Sequence, residues 1–174
     1  SFTYRDVRRG ARGVAEVLAA KGVKKGDRVL IVSEGRPEWG MSYFGVILAG
    51  GTVVPVDVDL SRSEIANIAR AAEAKGAIAS EKQKSKLTAI DVGNGKPAAP
   101  FDVPVWSFDE LFATAHAVNP SAEPALVKRK PEDVASVIFT SGTTGRPKGV
   151  VLTDRNFTAL TARMTALFEL NRTD

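Results

Sequence analysis

Apolar positions along this chain recur either at helical spacing or as short continuous runs, and the two patterns alternate. Val7, Ala11, Val14, Ala15 and Leu18 follow a Thr3-Tyr4-Arg5-Asp6 capping box, and Gly22 closes the helix they predict. The run at 29–32 has the length of a buried strand. Pro37 suits the first turn of a second helix, where its missing N–H costs nothing. Trp39, Met41, Phe44, Val46, Ile47 and Leu48 surround that helix, so it is expected to be largely buried. Gly50-Gly51 ends it, and 52–56 is the next strand, which Pro55 assigns to an edge or an irregular place. A second capping box, Ser61-Arg62-Ser63-Glu64, opens a helix carrying Ile65, Ile68, Ala69 and Ala72, with Gly76 as its terminator.

The segment 77–80 reads as a weak strand, 81–90 as a solvated helix with Lys82, Lys84 and Lys86, and 91–100 as a surface loop. A strand at 103–108 runs into a brief helix started by Ser107-Phe108-Asp109-Glu110. Pro120, Pro124 and Pro131 make 117–132 an extended connector. Two apolar runs, 134–139 and 150–152, then read as buried strands flanking a glycine-rich segment. Asp154 is expected to cap a last helix with Phe157, Leu160, Met164, Leu167 and Phe168 on its apolar stripe. This alternation predicts an α/β layered fold with a mainly parallel sheet and helices on both faces, one region spanning 1–174.

Composition narrows the chemistry. The 174 residues are 44% hydrophobic and 25% charged, a globular balance with length enough for a core. Residues 1–36 hold nine Lys/Arg against four Asp/Glu, without interleaved aromatics, which reads as a solvated helix face and not as a nucleic-acid surface. Cysteine is absent, which excludes disulfides and thiolate chemistry, and the single histidine, His116, excludes a His-based zinc site. No run approaches the ~20 apolar residues of a transmembrane helix and no signal peptide is visible, so a cytoplasmic location is expected.

The segment 140–149 holds the densest chemistry: Thr140, Ser141, Gly142, Thr143, Thr144, Gly145, Arg146, Pro147, Lys148 and Gly149. Glycines let successive amides turn toward one anion, hydroxyls add uncharged donors, and Lys148 adds a mobile cation. This is the composition of a polyphosphate-binding loop. A Walker A loop is disfavoured, because Pro147 precedes the lysine where that motif needs glycine, and Gly149 follows it where that motif needs a Mg²⁺-binding hydroxyl. An ordinary β-hairpin turn is the remaining bland reading, but it has no use for so many donors beside a lysine.

The stretch from Phe139 through Thr-Ser-Gly-Thr-Thr-Gly-Arg-Pro-Lys-Gly to Val151 resembles the signature loop of the adenylate-forming superfamily, which includes acyl-CoA synthetases, fatty acyl-AMP ligases and peptide-synthetase adenylation domains. Gly26-Asp27-Arg28-Val29, then Glu34-Gly35-Arg36-Pro37-Glu38-Trp39, then the segment 48–56 resemble that family's opening segment in order and spacing. The Arg-Pro-Glu-Trp segment leans toward the long-chain fatty acyl-CoA synthetases. The resemblance implies a ligase that joins a carboxylic acid substrate to ATP, with Mg²⁺, and passes the acyl group to coenzyme A. It implies that Thr140, Ser141, Gly142, Thr143, Thr144, Gly145 and Lys148 hold the β- and γ-phosphates. One departure stands out: the family commonly has Leu-Thr-His-Arg-Asn after the loop, and this chain has Asp154 at the histidine.

The resemblance also places the adenine, ribose and Mg²⁺ contacts and the lysine that promotes adenylation beyond Asp174, so no catalytic residue is expected within these 174 positions. The ends read as cuts from a longer protein, whose remainder would be the segment's main partner, and the segment alone is expected to be inactive. Apolar surface left uncovered makes a homodimer plausible. The alternative is a non-catalytic α/β module for phosphate binding or protein interaction.

Overall fold

The computed structural model describes residues 2–88, 101–117, 127–140 and 147–168. Its elements alternate as the periodicity predicts: α1 (Tyr4–Ala20), β1 (Arg28–Val32), α2 (Pro37–Leu48), β2 (Thr52–Val56), α3 (Arg62–Ala71), β3 (Ala74–Ala79), α4 (Glu81–Thr88), β4 (Val105–Ser107), α5 (Phe108–Ala117), β5 (Val134–Thr140), β6 (Lys148–Thr153) and α6 (Asp154–Leu167). The strands form one six-stranded sheet in the order β4-β3-β1-β2-β5-β6, parallel throughout except for the antiparallel pair β5–β6.

Side chains of successive strand residues point to opposite faces, and each face is apolar. Val29, Ile31, Val53 and Ile78 pack with α1, α2 and α5, around Val14, Leu18, Val46, Phe108 and Leu111. Leu30, Val32, Val54, Val56, Ala77 and Ala79 pack on the other side against Ile65, Ile68 and Ala69 of α3 and Leu87 of α4. Helices therefore cover both faces. Both capping boxes form, with Asp6 N–H donating to Thr3 Oγ1 and Thr3 N–H to the Asp6 carboxylate, and the same exchange between Ser61 and Glu64. A third box joins Ser107 and Glu110 at the start of α5.

Several local expectations are corrected. Gly76 does not end α3, which stops at Ala71. It lies inside β3, where an added Cβ would meet the Trp106 ring at 2.5 Å, so the glycine exists to seat the indole. The α3 end is made instead by Glu73, in the left-handed region at φ 47°, and by Arg28, whose guanidinium donates to the Ala72 and Glu73 carbonyls at 2.7 and 3.0 Å. Strand β3 is longer than predicted and fully inside the sheet. Of the two places Pro55 allows, the edge is excluded and the irregular one is found: β2 is an interior strand whose pairing with β5 is broken. Pro55 stands opposite Ile31 of β1, while β5 registers with β2 only at Val53, away from the missing N–H. Helix α2 is only partly buried, with Phe44 exposed, and α4 buries Gln83 and Leu87 instead of being wholly solvated.

Of the two strands around the glycine-rich segment, β5 is buried at Ala135 and Ser136 but not along its length, and β6 is not buried. Strand β6 is the sheet edge, and Ile138, Val150 and Val151 are exposed because no described residue covers them. Asp154 is not the cap of α6. Thr153 takes that place, exchanging bonds with Asn156, and Asp154 becomes the first helical residue. The predicted loop at 91–100 and the connector positions 118–126 lie outside the described residues. Among those described, no helix is long and apolar enough to cross a membrane.

Candidate phosphate-binding site

The candidate site is built at the tip of the β5–β6 hairpin. Thr140 ends β5, Lys148 begins β6, and the two stand directly opposite each other in the register. Because β5 runs parallel to β2, Thr140 lies at the carboxyl edge of the parallel strands, the side on which open α/β sheets take ligands. Both side chains are exposed, and among the described residues no hydrogen bond or ion pair holds the Lys148 ammonium. Ser141, Gly142, Thr143, Thr144 and Gly145 of the predicted cradle lie outside the described residues. Of the set, the structure brings Thr140 and Lys148 together.

Gly149 follows the lysine for a packing reason. A Cβ there would meet Val137 Cγ1 at 2.7 Å and Phe139 Cζ at 3.3 Å, so the small residue lets the β5 side chains lie across β6. The inner side of β5 is tied down by hydroxyls: Thr52 Oγ1 donates to the Val134 carbonyl at 2.7 Å, and the buried Ser136 Oγ donates to the Val53 carbonyl at 3.0 Å. Tyr43 of α2 stacks on Trp39 at 5.2 Å between ring centroids and meets Phe157 of α6 edge-on at 6.3 Å, linking α2 to the helix after the hairpin. Burial pushes the Tyr43 phenol above its usual range, while a hydrogen bond with Ser136 works against that shift.

Sequence reasoning missed two polar clusters. At the carboxyl ends of β1 and β3, where the strand order reverses, Gln83 Nε2 donates to Glu34 Oε1 at 2.9 Å. That bond, a second from Ser80 and one from the backbone hold the Glu34 carboxyl down to about 2. Gln83 is buried, and its Oε1 has no hydrogen-bond partner among the described residues. At the opposite edge of the sheet, Arg129 pairs bidentately with Asp154, Nε to Oδ2 at 2.7 Å and Nη2 to Oδ1 at 2.9 Å. The aspartate standing where the resemblance expects histidine was the one visible signal for this pair. A cleft of about 290 Å³ at that edge is lined by Lys25, Arg28 and Arg129, but each cation has a carboxylate partner: Asp133, Glu73 and Asp154.

Fold and hairpin define an α/β protein in which Thr140 and Lys148 stand opposite each other at the carboxyl edge of the sheet. Residues 1–174 match the AMP-binding enzyme family, and the chain belongs to it. It is 29% identical over 163 residues to the medium/long-chain-fatty-acid–[acyl-carrier-protein] ligase FadD10 of Mycobacterium tuberculosis, covering 92% of this chain and 29% of the relative. It is 31% identical over 164 residues to the crotonobetaine/carnitine–CoA ligase of Salmonella paratyphi A, covering 89% of this chain and 31% of that one. The inhibitor-bound N-terminal domain of FACL13 from Mycobacterium tuberculosis superposes with a TM-score of 0.74 at 29% identity, covering 88% of this chain and 37% of that structure. The chain therefore spans about a third of the length of these relatives.

Proposed function

We propose that this segment supplies the pyrophosphate-gripping loop of an ATP-dependent carboxylic acid–CoA ligase, with a fatty acid as the acid. The observation that carries the reading is the Thr140–Lys148 stem, uncapped by any described partner, at the ligand-taking edge of the sheet in a chain of the AMP-binding family. The relative named for fatty-acid ligation supports the acid, and the one named for carnitine–CoA ligation supports the acceptor. In the proposed reaction a carboxylate oxygen attacks the α-phosphorus of ATP, and the bond to the β-phosphate oxygen breaks. Acyl-adenylate and pyrophosphate result, and a coenzyme A thiol then displaces AMP. Backbone amides across 142–145, the hydroxyls of Thr140, Ser141, Thr143 and Thr144, and the Lys148 charge would hold the β- and γ-phosphates and stabilise the departing pyrophosphate.

The stem fits a polyphosphate, since an exposed lysine faces a hydroxyl across one strand pair. It does not build a Mg²⁺ site: among the described residues no three Asp, Glu, His or Cys side chains converge, so no step is assigned through the ion. With no catalytic residue assigned to the segment, it binds without accelerating, because anion binding that does not position the acyl group leaves the barrier nearly unchanged. A cytoplasmic location and self-association through the bare β6–α6 face complete the reading.

Carboxylate-dependent ATP–pyrophosphate exchange by the full-length protein tests it. Exchange with medium- or long-chain fatty acids is the expected result. Silence across a broad acid panel would overturn the ligase reading, and exchange confined to short or amino acids would overturn the substrate class.

A further inference from the structure

Strand β6 has little burial to choose its register. Lys148, Gly149, Val150 and Val151 are all exposed, so a one-residue slip against β5, which turns every side chain to the other face, would forfeit little apolar contact. Yet the proposed site needs Lys148 opposite Thr140. Something at the base of the hairpin has to choose the pairing.

The base is irregular. Val134 registers with Thr153 and Ser136 with Leu152, so Ala135 is an extra residue in β5, a bulge. The Val134 carbonyl accepts from Thr52 Oγ1 at 2.7 Å and from Arg129 Nη2 at 3.0 Å. The same guanidinium donates from Nη1 to the Gly51 carbonyl at 3.1 Å and grips both oxygens of Asp154. One side chain, itself almost buried, thereby joins the start of β2, the bulge in β5 and the first residue of α6. Backbone bonds reinforce the contact, with Asp154 N–H donating to the Asp133 carbonyl and Arg155 N–H to that of Pro131. Asp154 follows β6 directly, so fixing it to Arg129 fixes where β6 ends. A bidentate pair is directional and tolerates no one-residue displacement, which would carry the carboxylate about 3.3 Å along the strand.

We propose that Arg129 and Asp154 are positioning residues that set the β5–β6 register and so hold Lys148 across from Thr140. In this chain the aspartate's partner is Arg129, which gives the departure from the common histidine a specific role. The register claim stands on the hairpin geometry, whereas its consequence for phosphate binding rests on the reading proposed above.

A disulfide reports register without reference to activity. Ile138 and Val150 are direct partners and both exposed, and opposed strand residues lie within disulfide reach. The 174 residues contain no cysteine of their own. In the full chain, Ile138→Cys with Val150→Cys should crosslink almost completely under mild oxidation. Adding Asp154→Asn should lower the yield several-fold. Adding the pair Arg129→Met and Asp154→Asn, which leaves no orphaned charge and so protects folding, should do the same. Native crosslink yield in the folded double variant would overturn the proposal, and would assign the register to the Gly149–Val137 fit and the backbone bonds at Asp154 and Arg155. Loss of ATP–pyrophosphate exchange with unchanged crosslinking would also count against it. Reduced crosslinking in a chain that never showed exchange would uphold the register claim while the ligase reading fails.

Discussion

Glu34 shows how a single residue ties stability to pH. Its carboxyl is held near 2 in the folded chain, below an ordinary value of 4.5, by bonds from Gln83, Ser80 and the backbone. A depressed folded-state value means the unfolded chain binds the proton first. The stabilisation is therefore complete above about 4.5 and disappears as pH falls toward 2. Acid unfolding of Glu34→Gln, followed by circular dichroism, should show a shallower loss of stability across that window than the parent. An identical acid profile would remove Glu34 from the account. Gly76 makes a second prediction at this scale. Its hydrogen faces the Trp106 ring, so Gly76→Ala should cost about 1–3 kcal/mol in urea unfolding, since overpacking displaces a buried aromatic. A neutral Gly76→Ala would mean the indole moves aside freely.

At the scale of elements, the capping boxes carry much of what the chain shows in its letters. Thr3 and Ser61 start helices where their side chains predict, because a cap is a local contract between residues three apart. Ser61→Ala should lower stability by about 1 kcal/mol, read as a shift in thermal midpoint, and an unchanged midpoint would show the α3 start to be held by packing alone. The alternation of strands with helices was equally legible, since each period is written within a dozen residues. The misread or undecided positions depend on partners far along the chain. Gly76 reads as a terminator until Trp106 is placed over it, and Pro55 leaves edge and irregular strand open until β5 is seen to pair only at Val53. The runs at 134–139 and 150–152 look buried because hydrophobicity alone cannot say whether a covering layer is present. Asp154 reads as a cap, yet its real partner, Arg129, lies 25 residues earlier across the sheet. For the candidate site, the loop's composition and position between two strands were visible in the sequence. The Glu34–Gln83 clasp and the Arg129–Asp154 pair were not.

For the whole molecule, the described residues cover the sheet on both faces over β1, β2 and β3 and leave β6 bare. Val150, Val151, Leu160, Leu167 and Phe168 are all at least half exposed. An apolar edge of this kind is a template for self-pairing, and the proposed reading expects a homodimer. Light scattering after size exclusion should give twice the mass of the 18.5 kDa chain at tens of micromolar. A monomer at every concentration would contradict that expectation. The central claim is that the hairpin tip holds a polyphosphate through Lys148. Calorimetric titration of pyrophosphate into the parent and into Lys148→Ala tests it most directly, because it needs no acyl substrate and no turnover. Removing one charge-assisted contact should weaken binding by about tenfold or more, with folding unchanged because the side chain is exposed. Equal affinity in the two proteins would take Lys148 out of the site.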